Sequence, residues 1–164
     1  MLIWGVVGCG YTPVRDASAP DLAVRAGPVG TPELSAIQAA LSGARSELGA
    51  LGRRGSAGYP ALVVEVFHVE ERSTGILAPA TGQSQPAARG STVTLEGRAW
   101  ILDREGAVPR ADTGGVRLEQ SFAAGASPEL DASRHQQALD RLARRLGRVL
   151  ARRALGLPDG GTAR

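Results

Sequence analysis

At 164 residues, 43% of them hydrophobic, the chain holds enough apolar material for one core and too little for two. Its net charge of +3 sets 19 arginines against 16 acidic residues, with no lysine and no asparagine. That is the codon signature of a high-GC genome, so the arginines do not by themselves signal bidentate recognition. One cysteine excludes an internal disulfide, the isolated His68 and His135 exclude a recognisable zinc spacing, and no apolar run is long enough to span a bilayer.

The run Ile3-Trp4-Gly5-Val6-Val7-Gly8-Cys9-Gly10-Tyr11 ends an apolar stretch in a small residue and then cysteine. Such a pattern marks a bacterial lipoprotein signal, in which the thiol is lipidated and the chain is cut before it. Cys9 is therefore the expected lipidation site, and the eight residues ahead of it read as the residual end of a longer signal. Gly8 and Gly10 also fit the opening of a dinucleotide-binding fingerprint, but its sixth position is Pro13, which offers no N–H to a pyrophosphate. No acidic residue closes a second strand about twenty residues on. An ordinary buried thiol is the remaining competitor; a mass measurement showing free Cys9 with Met1 intact rejects lipidation.

Pro13, Ser18 and Pro20 mark residues 9–21 as a tether. Leu22, Val24 and Ala26 alternate into a short strand stopped by Gly27-Pro28. Thr31-Pro32-Glu33-Leu34 starts a helix, with Thr31 as cap, Pro32 in the first turn and Glu33 at the positive end of the dipole. Leu34, Ile37, Leu41, Ala44, Leu48 and Leu51 share one face of that helix, and Gly52 and Gly55 end it.

Residues 61–70 are rich in β-branched side chains and apolar on both faces, the pattern of a central strand covered on two sides. His68 reads as a surface residue at the strand end. Residues 71–91 have almost no large apolar side chain and predict a long mobile loop. Residues 92–103 form the clearest strand: Val93, Leu95, Gly97, Ala99 and Ile101 point inward, and the small pair Gly97 and Ala99 asks for a closely packed helix. Arg98 and Trp100 lie on the opposite face. Trp100 is either a partly covered edge ring or a contact with a partner protein or an acyl chain.

A glycine-rich connection from Asp103 to Gly115 leads to a strand through Val116, Leu118, Gln120 and Phe122, antiparallel to its predecessor because the link is too short for a helical crossover. A second helix starts at Ser127-Pro128-Glu129-Leu130, and Leu139, Leu142, Leu146, Val149 and Leu150 are its apolar stripe. Its other side gathers Arg134, Arg141, Arg144, Arg145, Arg148 and Arg152, with Asp140 the one acid among residues 133–155. Such a face suits lipid phosphates, an acidic partner or nucleic acid, or is a solvated face tilted basic by codon usage. Nucleic acid is the poorest fit, since no aromatic platform lies among the arginines.

No catalytic constellation emerges, so a binding or structural role is expected, with no catalytic residue, metal or cofactor beyond the lipid on Cys9. The order strand, helix, three strands, helix predicts an α+β domain over 22–157, between the tether and a flexible tail at 158–164. Together with Cys9-Gly10-Tyr11, the helix exit Leu51-Gly52-Arg53-Arg54-Gly55, the strand Thr94-Leu95-Glu96-Gly97-Arg98-Ala99 and the helix Gln137-Ala138-Leu139-Asp140-Arg141-Leu142-Ala143, this order resembles the LptE family of lipopolysaccharide-assembly lipoproteins.

That resemblance implies two helices packed on one face of a mixed, mostly antiparallel four-stranded sheet (β-α-β-β-β-α). It also implies an outer-membrane lipoprotein on the periplasmic side that plugs a β-barrel of the lipopolysaccharide transport machine, helps it assemble and contacts lipopolysaccharide. Gly10 after the cysteine resembles the outer-membrane sorting signal. Arg98, Trp100, Arg141, Arg144, Arg145 and Arg148 are then the candidate lipid or partner contacts. Two alternatives stay open: an auxiliary lipoprotein of a lipid-transporting ABC system, and a lipoprotein activator of a penicillin-binding protein.

Overall fold

The computed structural model describes residues 20–28, 33–76, 89–124 and 127–159. Its elements run β1 (Ala23–Ala26), α1 (Leu34–Ala50), β2 (Ala61–Ile76), β3 (Arg89–Leu102), β4 (Ala111–Asp112), β5 (Val116–Ala124) and α2 (Pro128–Ala154). β1 lies parallel to β2, with Ala23 opposite Ala61 and Ala26 opposite Val64. Parallel neighbours need a crossover, and α1 supplies it. β2 and β3 form a long antiparallel pair, and β4 and β5 both pair with the far edge of β3. Both helices cover one face of this mixed sheet, the α+β arrangement expected from the sequence. The addition is β4, a two-residue strand that the glycine-rich connection conceals.

Two strand expectations are corrected. β2 continues to Ile76 and β3 begins at Arg89, so both ends of the expected 71–91 loop are strand. The polar residues there are placed by backbone pairing, with Glu71 opposite Val93, Arg72 opposite Thr92 and Ser73 opposite Ser91, and Arg72 bonds Glu70 along its own strand at 2.7 Å. Residues 77–88 of that expected loop lie outside the described residues. The second correction is a β-bulge at Phe67, where pairing steps from Val66↔Gly97 to His68↔Glu96. Ahead of it Leu62, Val64 and Val66 enter the core; beyond it Val69 takes the core side. The extra residue flips the phase, so the apolar run on two faces does not mean helices on two faces. His68 sits within the strand rather than at its end.

α1 begins at Leu34 after Glu33, while Thr31 and Pro32 lie outside the described residues. Leu34 is 63% exposed and leaves the expected stripe, whereas Ile37, Leu41, Ala44 and Leu48 are buried. Ser127 does not cap α2 through its side chain: its hydroxyl donates to Glu129 Oε2 at 2.6 Å, and Pro128 opens the helix. Both helices close alike. Gly52 (φ 67°) and Gly156 (φ 68°) take the left-handed conformation. This lets Arg53 N–H reach the Leu48 carbonyl at 2.8 Å and Leu157 N–H reach the Arg152 carbonyl at 2.9 Å.

Glycine also sets how closely the layers approach. A Cβ on Gly43 would overlap the Arg144 carbonyl, and one on Gly147 would overlap the Ala40 carbonyl, so α1 and α2 touch backbone to backbone. A Cβ on Gly97 would sit 2.6 Å from the Glu65 carbonyl and 3.1 Å from Leu146 Cδ2, which is the close helix contact that the Gly97 and Ala99 pair asks for. Leu139, Leu142, Leu146 and Leu150 are fully buried on the sheet. Each contributes on the order of 1.5–3 kcal/mol by burial.

Candidate binding surfaces

The expected lipidation site, Cys9, lies outside the described residues. The remaining candidates fall on two separate surfaces. Arg98 and Trp100 sit on the helix-free face of the sheet, where alternation along β3 must place them. Arg98 donates from Nε to Glu65 Oε2 at 2.6 Å across the β2–β3 pair, and its guanidinium lies 5.2 Å from the Trp100 ring centroid. The bond from Glu65, then its charge, raises the Arg98 pKa above its ordinary value. Trp100 is half-buried because Gly27 has no side chain: a Cβ there would be 3.1 Å from Trp100 Cη2. Its ring therefore fits the partly covered description and still presents an edge to solvent.

The rest of this face carries ion pairs both across and along the strands. Arg117 on β5 reaches Glu96 at 3.2 Å and Glu119 at 2.9 Å, and Arg72 and His68 flank Glu70 at 2.7 and 3.6 Å. Hydrogen bonding to Arg72 holds the Glu70 carboxyl below its ordinary range. Phe67, raised by the bulge, is 37% exposed and with Glu65, Arg98 and Gly115 lines a shallow depression of about 390 Å³. Nothing in the composition marks Phe67 as exposed; only the bulge does.

The arginine face of α2 divides by partner. Arg144 turns toward α1: it grips Asp140 at 2.8 Å one helical turn away and donates to the Ser42 hydroxyl at 3.3 Å. Asp140 raises its pKa, chiefly through the hydrogen bond. Arg152 is taken by Glu47 of α1 at 2.9 Å, and Arg134 by the Ala123 carbonyl at 3.2 Å. Arg141, Arg145 and Arg148 are exposed and have no hydrogen bond or ion pair among the described residues. At i, i+4 and i+7 they form one row along the helix.

An open groove of about 680 Å³ runs beside this row, between the start of β5 and the C-terminal half of α2. Leu118 and Val149, both half-buried, give it an apolar floor, and Arg145 and Arg148 stand along it. The chain crosses its end as it leaves α2. The Pro158 carbonyl accepts from Arg152 Nε at 2.8 Å, and the Asp159 carboxylate takes Arg153 Nε at 2.8 Å. That bond, with the charges of Arg153 and Arg152, holds the Asp159 carboxyl below its ordinary value. The first two residues of the expected 158–164 tail are thus tied to α2, and 160–164 lie outside the described residues.

At the other end of α2, His135 Nδ1 lies 2.9 Å from Glu71 Oε2, without hydrogen-bond alignment, and its ring meets Phe122 edge-on at 6.0 Å. This joins α2 to the far part of the β2–β3 pair beyond the reach of α1. Among the described residues no group of His, Cys, Asp or Glu side chains is placed to hold a metal ion, and no helix is long and apolar enough to cross a membrane.

No protein-family model matches the chain, and no curated protein matches it. Among solved structures, a Caulobacter crescentus CB15 protein classed as a lipoprotein aligns at a TM-score of 0.51 with 8% identity, over 81% of this chain and 89% of that one. The minor lipoprotein of Acinetobacter baumannii aligns at 0.49 with 16% identity, over 83% of this chain and 95% of that one. Rare lipoprotein B of Shewanella oneidensis aligns at 0.40 with 12% identity, over 83% and 91%. At such identities a likeness speaks to fold alone, and of these three the Caulobacter protein is near enough to do so.

Proposed function

We propose that the chain is an outer-membrane lipoprotein, anchored on the periplasmic side through a lipid on Cys9, that plugs a β-barrel partner and helps it assemble for lipopolysaccharide export. One conjunction carries the reading: a Cys9-Gly10-Tyr11 sequence of the lipid-attachment type stands ahead of a domain whose two helices cover one sheet face and leave the other bare. The Caulobacter protein of like fold is itself classed as a lipoprotein, which agrees with an anchored protein.

The bare face also suits the partner in kind. The lumen of a transmembrane barrel is polar and wet. A face of ion pairs with one half-covered indole packs against such a wall without stranding unpaired charge, and Arg98 and Trp100 are its contacts. The role is binding, with no chemistry of the chain's own. Tagged protein drawn from native membranes in mild detergent is expected to bring a large outer-membrane barrel with it. Recovery without such a barrel rejects the reading. An inner-membrane transporter or a penicillin-binding protein in its place redirects it to the corresponding alternative.

A further inference from the structure

We propose that the groove between β5 and the C-terminal half of α2 binds the phosphate headgroup of an anionic glycerophospholipid, seating this edge of the domain on a membrane surface. The inference rests on the lipid anchor of the proposed function and is independent of the barrel. Codon usage explains why the cations are arginine, but not why acids are missing: residues 141–158 contain no aspartate or glutamate. Arg145 and Arg148, less than one turn apart, face the groove, and neither has an ion pair or hydrogen bond among the described residues, because the two carboxylates that line it, Glu47 and Asp159, are taken by Arg152 and Arg153. A phosphate placed between them relieves their repulsion, and guanidinium groups bind phosphate oxygens in charge-assisted pairs.

The groove already holds two anions of its own, Glu47 on Arg152 and Asp159 on Arg153. The Asp159 carboxylate meets Arg153 Nε through both oxygens, at 2.8 and 3.1 Å, in the manner a phosphate would. Asp159 therefore stands at one end of the site as an internal competitor, and the two free arginines mark the vacant end. Beneath them Leu118 and Val149 offer apolar surface to the glycerol and first acyl carbons of a lipid, which a free phosphate would not use.

The test uses the full chain with Cys9→Ser, so that no covalent lipid contributes, and phosphatidylcholine vesicles with and without roughly 30% phosphatidylglycerol. The protein is expected to sediment with the anionic vesicles and not with the neutral ones. Each arginine near such a surface contributes about fivefold in partition, so Arg145→Ser with Arg148→Ser lowers it about thirtyfold. Asp159→Asn raises it, while Arg104→Ser, an exposed arginine on the β3–β4 connection, leaves it unchanged. Circular dichroism confirms that each variant is folded. Equal binding to both vesicles, full binding by the double variant, or a loss with Arg104→Ser as large as with the double variant overturns the site. Release by millimolar inorganic phosphate at constant ionic strength overturns the lipid assignment in favour of free phosphate. Because no barrel is present, failure here leaves the barrel reading standing, and the reverse holds too.

Discussion

Replacing Gly147 with alanine sets two effects of opposite sign against each other. Alanine favours the helix over glycine by about 1 kcal/mol. Its Cβ, however, would overlap the Ala40 carbonyl oxygen and lie 2.9 Å from the Ala44 nitrogen. Both are backbone atoms of α1, so no side-chain rotation makes room and the helices must part. A gap of 0.5–1 Å already forfeits about a quarter to a half of each dispersion contact across the interface. Overpacking costs about 1–3 kcal/mol, and a backbone obstacle puts this case at the upper end. The net expectation is a loss of about 2 kcal/mol, or a fall in Tm of about 6–8 °C. Gly49→Ala is the matched control, since a Cβ there meets nothing within 4 Å. It should raise stability by up to about 1 kcal/mol. Thermal and urea melts followed by circular dichroism read both variants. A Gly147→Ala protein as stable as the parent would refute the backbone contact between α1 and α2.

Leu146→Ala removes a side chain with no solvent exposure that packs on Gly97, and should cost about 3–5 kcal/mol, read as a lower urea midpoint with unchanged slope. A loss below about 1 kcal/mol would show that α2 does not seal the core at that point. Asp159 gives a pH signature. Its carboxyl is depressed in the folded protein, so its contribution is complete above the ordinary value of 3.8 and is lost as pH falls through the lower folded value. Arg153 should accordingly keep its tail contact at pH 3.8, followed through its Nε–H resonance. Release at a higher pH contradicts the assignment.

The parts of the fold that sequence makes legible are those where burial alone dictates the pattern. β3 alternates cleanly because its inner side chains meet α2 and its outer ones do not, and the leucine stripe of α2 is the complement of that arrangement. The ends of the 71–91 segment read as loop because their polar residues are held by backbone pairing, such as Ser73 opposite Ser91, and a periodicity in hydrophobicity cannot register it. The bulge at Phe67 is hidden for a related reason: one inserted residue shifts the phase, and the run Val66-Phe67-His68-Val69 carries no turn residue to mark where it enters. The arginine face shows both limits. Helical spacing collects its members, yet their division rests on Ser42 and Glu47, which lie 102 and 105 residues away in the chain. The packing of α1 on α2 takes Arg152 out of the row and adds Ser42 to the hold that Asp140 of α2 already has on Arg144, leaving Arg141, Arg145 and Arg148 in it.

The two surfaces treat charge in opposite ways, and that has a consequence for binding. On the open face Arg98, Arg117 and Arg72 are each matched by a carboxylate across or along the strands. Covering such pairs costs desolvation and repays it only where the partner is itself polar. On the edge of α2 the free arginines gain from any anion that arrives. The sheet stands between them, so a polar wall on one side and a charged membrane on the other can be engaged together. Single variants should therefore separate the two. Arg98→Gln is expected to weaken recovery of a barrel and to leave vesicle partition at its parental value. Arg145→Ser with Arg148→Ser is expected to do the reverse. A folded variant that loses both activities would show that one surface serves both, and would reject the division drawn from the ion pairs.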